Sequence, residues 1–156
     1  MQNTLQLDKY SRRLFYSSSL ALISVYSAWY NELYYAMMRS LLVLCTSMIY
    51  WNNPKDGFIR KIDIISANGC IGYQWIYTSM ELSIIPWTLY TATVIACLTC
   101  YLNARHYGRK QTPDFDMASR WHMCIHILGN IGNLILYDGI GKNHYLHLDS
   151  FDFVSV

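Results

Sequence analysis

Leu82–Leu102 reads LSIIPWTLYTATVIACLTCYL and contains no Asp, Glu, Lys or Arg. As a helix it matches the roughly 30 Å hydrocarbon core of a bilayer, which takes about 20 apolar residues. Four further apolar blocks of similar length lie on either side of it: Leu14–Tyr30, Leu33–Trp51, Ile62–Met80 and Met117–Tyr137. The whole chain is 53% hydrophobic and only 14% charged, against roughly 25% charged in soluble domains. So few charges cannot cover a water-facing surface. The sequence therefore predicts an all-α, polytopic transmembrane helix bundle of about five spans, with residues 1–156 forming a single integral membrane domain in a lipid bilayer.

The charges between the blocks alternate. Lys9, Arg12 and Arg13 precede the first block, Lys55, Arg60 and Lys61 separate the second and third, and Arg105, Arg109 and Lys110 separate the fourth and fifth. The other two connections carry only Glu32 and Glu81, and the tail has Lys142 against Asp138, Asp149 and Asp152. Nine of the twelve basic residues thus fall on one side. Because cytoplasmic loops hold the excess of Lys and Arg, five spans with the N-terminus inside and the C-terminus outside are expected. Tyr and Trp gather near block ends (Trp29, Tyr30, Tyr34, Tyr35, Tyr50, Trp51, Trp87), as interfacial belts do. The first block runs into Trp29, Tyr30 and Glu32 without a small-residue cleavage site and is expected to stay as an anchor.

A net charge of +2 with no basic stripe gives no footing for nucleic acid. Cys45, Cys70, Cys97, Cys100 and Cys124 all lie within apolar blocks, so they are expected to pack as small buried hydrophobes, including the Cys97-x-x-Cys100 pair. Arg39 and Arg120 sit near block ends, where a long side chain can snorkel to the headgroups. The third block, with Ser66, Asn68, Gln74 and Thr78, is the most polar and is expected at the centre of the bundle. Gly69, Gly72, Gly129 and Gly132 are candidate sites of close helix approach. Pro54 and Gly57 favour a turn, beside basic residues that can touch anionic headgroups.

The residues that bear on chemistry lie mainly in the fifth block. His122 and His126, four apart, share one helix face, and Asn130, Asn133 and Tyr137 continue it. Polar residues in a span normally face the protein interior. With alternating span directions, Ser47 and Trp51 at the end of the second block, Asp63 at the start of the third, and His122 and His126 fall at similar depths. Two His and a carboxylate can hold zinc with an open position, so His122, His126 and Asp63 are candidate metal ligands. The alternative is that these groups hydrogen-bond one another and their neighbours, without a metal. His144 and His147 in the tail are a weaker candidate pair. A polar stripe lining a water path is a third possibility, though no familiar filter is present.

This pattern resembles the CREST superfamily of membrane hydrolases, which includes alkaline ceramidases, adiponectin and progestin receptors and haemolysin-III-like proteins. That family has a Ser and, four residues on, a His at the end of the second helix, an Asp early in the third, and His-x-x-x-His in the last. Here the corresponding residues are Ser47, Trp51, Asp63, His122 and His126. The resemblance implies zinc held by histidines, with a bound water that attacks a lipid amide or similar bond, and with Ser and Asp in support. Trp51 departs from it, because indole offers no free lone pair. The five blocks depart from the family's seven spans. The resemblance covers roughly residues 47–63 and 122–137.

The chain is also similar to small membrane proteins encoded by large DNA viruses and some algae. The similarity lies in Tyr50-Trp51-Asn52-Asn53-Pro54 with Gly57, Arg60 and Asp63, and in His122, His126, Asn130, Ile131, Gly132, Asn133, Leu136 and Tyr137. It implies an internal virion membrane beneath a capsid.

Loss of the third His leads to the expectation of a non-catalytic membrane protein, a structural or assembly component of a membrane-bound complex or virion with protein partners and no cofactor. The alternative is a zinc-dependent lipid amide hydrolase. There His122 and His126 would be ligands, Asp63 a third ligand or water-positioning base, and Ser47 a hydrogen-bond donor to the oxyanion or to a group that holds the zinc.

Overall fold

The structure, a computed structural model, describes residues 2–55 and 57–152, with side chains from 9 to 55 and from 57 to 142. His144 and His147, with Asp149 and Asp152, lie outside the described side chains. Among the described residues every regular element is helical: α1 (Gln2–Ser18), α2 (Ala21–Tyr30), α3 (Tyr34–Asn52), α4 (Phe58–Ile76), a 3₁₀ turn (Thr78–Glu81), α5 (Ile84–Gly108) and α6 (Phe115–Asp152).

The ends of these helices follow from local chemistry. Three consecutive serines end α1 and lead into the break before α2: Ser17 and Ser18 donate their hydroxyls to the carbonyl of Leu14, and Ser19 donates to that of Tyr16. Such back-bonding competes with the main-chain ladder and bends helices. The first apolar block is therefore a broken helix and not one continuous rod. α2 ends in a Schellman turn, with Leu33 N–H on the Ala28 carbonyl at 2.8 Å and Glu32 N–H on that of Trp29 at 3.0 Å. Gly57 opens α4 at φ 156° and ψ −154°, a region open essentially to glycine alone. Asp114 caps α6 by accepting the Met117 N–H at 2.9 Å.

Two helical segments, Ile84–Gly108 and Phe115–Lys142, are long and apolar enough to cross a membrane. In their most apolar windows only 17% and 28%, respectively, is buried. A core helix of a water-soluble protein would be mostly covered. Apolar exposure extends to the other helices: Ile84 is 73% exposed, Ile65 70% and Met38 58%.

The bundle is built around α6. It pairs extensively with α5 and also packs on α1 and α2. Ala28, Ala36, Tyr90, Leu136, Tyr137 and Ile140 form the buried apolar core, where α2, α3, α5 and α6 meet. The polar third block was expected at the centre, and here the structure differs. α4 packs on α3 and the 3₁₀ turn but scarcely touches α5 or α6, and Asp63 and Gln74 are its buried residues. Composition sets how polar a helix is, whereas the number of partners facing it decides whether it is central.

The expected close approaches divide in the same way. A Cβ on Gly132 would come within 2.6 Å of Thr93 Oγ1, whereas one on Gly69, Gly72 or Gly129 would meet nothing within 4 Å. Only the glycine between α5 and α6 marks tight packing among these four. All five cysteines are free. Cys97 and Cys100 are buried as expected, while Cys45 is exposed.

Candidate functional site

The polar stripe of α6 makes a contact to a different helix at almost every turn. In its first turn Asp116 accepts Arg13 Nη1 of α1 at 2.9 Å and Arg120 Nε at 2.8 Å, so Arg120 is paired on its own helix. One turn further, the rings of His122 and His126 meet edge to face with centroids 5.1 Å apart. Trp51, from the last turn of α3, meets His122 in the same way, also at 5.1 Å.

His126 Nδ1 lies 2.7 Å from Ser17 Oγ, which in turn lies 3.1 Å from the Leu14 carbonyl. A hydroxyl has one hydrogen. Both contacts are served when Nδ1–H donates to Ser17 and Ser17 donates to Leu14, which leaves Nε2 of His126 as an acceptor. Across the bundle Ser47 Oγ of α3 donates to Asp63 Oδ1 of α4 at 2.5 Å.

Next along α6, Ser24 of α2 donates to Asn130 Oδ1 at 2.5 Å and accepts Asn133 Nδ2 at 3.1 Å. Tyr137 is fully buried. Its hydroxyl is 2.9 Å from Ser40 Oγ of α3 and accepts Gln74 Nε2 of α4 at 2.8 Å. Buried polar groups stabilise a bundle only when paired, and this ladder pairs them between helices.

Ser47, Asp63, His122 and His126 all line one cavity of about 390 Å³, together with Arg39 and Gln74. The cavity is within the size range of small-molecule sites. The four residues expected near one another therefore share a cavity, at different points of its wall. Sequence reasoning missed Ser17, which meets His126 across the serine break, and it placed Arg39 at the headgroups, whereas Arg39 lines the cavity.

Zinc fits this arrangement poorly. Among the described residues no three His, Cys, Asp or Glu side chains are grouped to hold a metal ion, and the indole of Trp51 occupies the space beside His122. What the cluster does chemically is to cross-link helices through hydrogen bonds and ring contacts, around a chamber with Asp63 near one end. No protein-family model, curated protein or solved structure matches the chain.

Proposed function

We propose that this chain is a polytopic membrane protein with five crossings, N-terminus inside and C-terminus outside, acting as a non-catalytic structural or assembly component of a membrane-bound complex or virion. The observation that carries the reading is the ladder on α6: Ser17, Ser24, Ser40 and Gln74, from four different helices, are each engaged by its polar stripe. The cluster is employed in holding helices together, while the apolar exterior is left for lipid and protein neighbours.

Sidedness draws support from the ends of the bundle. Arg13 meets Asp116 at the start of α6, and Trp51 at the end of α3 meets His122 of α6, which brings the three basic groups toward one end. Asn31 lies against Gly141 and Leu82 against Gly139, which brings the two acidic turns together at the other. In this reading the first crossing combines the end of α1 with α2 across the serine break. Trp29, Tyr30, Tyr34 and Tyr35, all exposed, form the outer aromatic belt.

Labelling of single cysteines at Leu5 and Ser150 in a cysteine-free background is expected to mark opposite faces of the membrane; labelling of both from one face would overturn the odd number of crossings. Cross-linking from Lys55 or Lys110 in the native membrane should capture discrete protein neighbours. A freely dispersed chain would contradict the assembly role.

A second reading, a zinc-dependent lipid hydrolase, is favoured by one observation: Ser47, Asp63, His122 and His126 share a cavity. Metal analysis decides between the two. Stoichiometric zinc in the purified protein, lost in the His122→Ala, His126→Ala double variant, would falsify the non-catalytic reading.

A further inference from the structure

The chamber runs between two clasps on α4. Asp63 is bound by Ser47 near one end, and Gln74 by Tyr137 at the other. They are eleven residues apart, about 16 Å along a helix. Between the clasps α4 scarcely touches α5, so the chamber opens sideways between them, toward the apolar exterior. Its wall there is apolar, with Ala67, Ile71, Val94 and Leu98.

Arg39 lines the Gln74 end of this chamber. Its guanidinium lies over the Tyr73 ring at 4.7 Å. Its Nε is buried without a hydrogen-bond partner, and among the described residues it forms no ion pair. Asp63 does not neutralise it, because Ser47, the partner of Asp63, lies eight residues further along α3, about 12 Å away. A cation in a lipid-facing chamber is costly until it meets an anion, and the planar fork of Arg suits carboxylate and phosphate oxygens.

We infer that the chamber binds an anionic amphiphile, with its carboxylate or phosphate head on Arg39 beside Tyr73 and its hydrocarbon chain leaving between α4 and α5. This rests on the membrane reading above and adds a ligand to it. The head sits at the opposite end of the chamber from Asp63, whose charge would repel it. The apolar wall takes the first part of the chain, and the bilayer takes the rest.

The test uses the full-length protein, exchanged into vesicles of phosphatidylcholine alone, phosphatidylcholine with phosphatidylglycerol, or phosphatidylcholine with oleate, then re-extracted, washed and assayed by mass spectrometry. Retention of about one anionic amphiphile per chain is expected, and the arm in which it occurs assigns a phosphate or a carboxylate head. Arg39→Gln should lower retention about tenfold or more, as loss of one charge-assisted contact implies. Ala67→Phe, which fills the chamber and leaves Arg39 in place, should do the same, and it decides the matter should Arg39→Gln fail to fold. Lys55→Gln with Lys61→Gln, at exposed positions outside the chamber, should leave retention unchanged. No enrichment over phosphatidylcholine in either anionic arm overturns the inference, as does full retention by Arg39→Gln or Ala67→Phe. If the chain instead remains a dissolved monomer without detergent, the membrane reading itself is what fails.

Discussion

α4 and α6 are made of similar material, apolar helices interrupted by Ser, Asn, Gln, His or Asp, yet they stand in opposite relations to the rest of the molecule. α6 places its polar groups on one stripe, and together they reach α1, α2, α3 and α4. α4 spreads Ser66, Asn68 and Gln74 around its circumference. Asn68 bonds only to the Ile64 carbonyl of its own helix, while Gln74 and Asp63 reach other helices. The difference shows that a polar side chain organises a bundle only where a partner is within reach. α4 consequently hangs on two hydrogen-bonded clasps and leaves a chamber behind it.

The contrast breaks most sharply at Tyr137. Replacing it with Ala removes a fully buried ring and strands Ser40 and Gln74, so Tyr137→Ala should destabilise by about 3–5 kcal/mol. Trp75→Ala on α4, at a position 46% exposed, should change stability by about 0.5 kcal/mol or less. Thermal melts of both variants in the same detergent measure the gap. Equal losses would mean that α4 is as deeply integrated as α6.

Glycine gives a smaller version of the same comparison. Gly132→Leu would drive a side chain into Thr93, 2.6 Å from the position of a Cβ, and should cost about 1–3 kcal/mol by overpacking. Gly69→Leu meets open space, so the better helix propensity of Leu should leave stability unchanged or slightly raised. A loss at Gly69 as large as that at Gly132 would require α4 to be covered by something on its outer face.

How much of this was legible in the residues divides along physical lines. The His122, His126, Asn130, Asn133 and Tyr137 stripe follows from helical periodicity alone, and the cavity shared by Ser47, Asp63 and the histidines is the kind of meeting that the order and lengths of the helices suggest. These are properties of single helices and their order. The Ser17–His126 contact depends on where the serine break points α1. Arg39 was expected to snorkel from its distance to a helix end, but its place in the chamber depends on the rotation of α3 about its axis. The central position expected for α4 went to α6 for the same reason: rotation and neighbour count are properties of pairs of helices, and one sequence does not display them.

The smallest of the three contrasts lies at Glu32, where the direction of the effect reverses, because here a residue is held in place against its own preference. Glu32 is the only non-glycine residue with positive φ among those described, at 58°. The Schellman turn requires that geometry at the position after the α2 cap, and Leu33 packs against the Ala28 core immediately beyond it. An L-residue in the left-handed region costs about 1–2 kcal/mol, while glycine forgoes about 0.5–1 kcal/mol in chain entropy. Glu32→Gly should therefore stabilise by about 0.5–1 kcal/mol, raising the melting midpoint while leaving α2 and α3 packed as before. A lowered midpoint would show that the carboxylate itself holds the turn, and that the strain at Glu32 is matched by a contact of its side chain and not by the packing of Leu33.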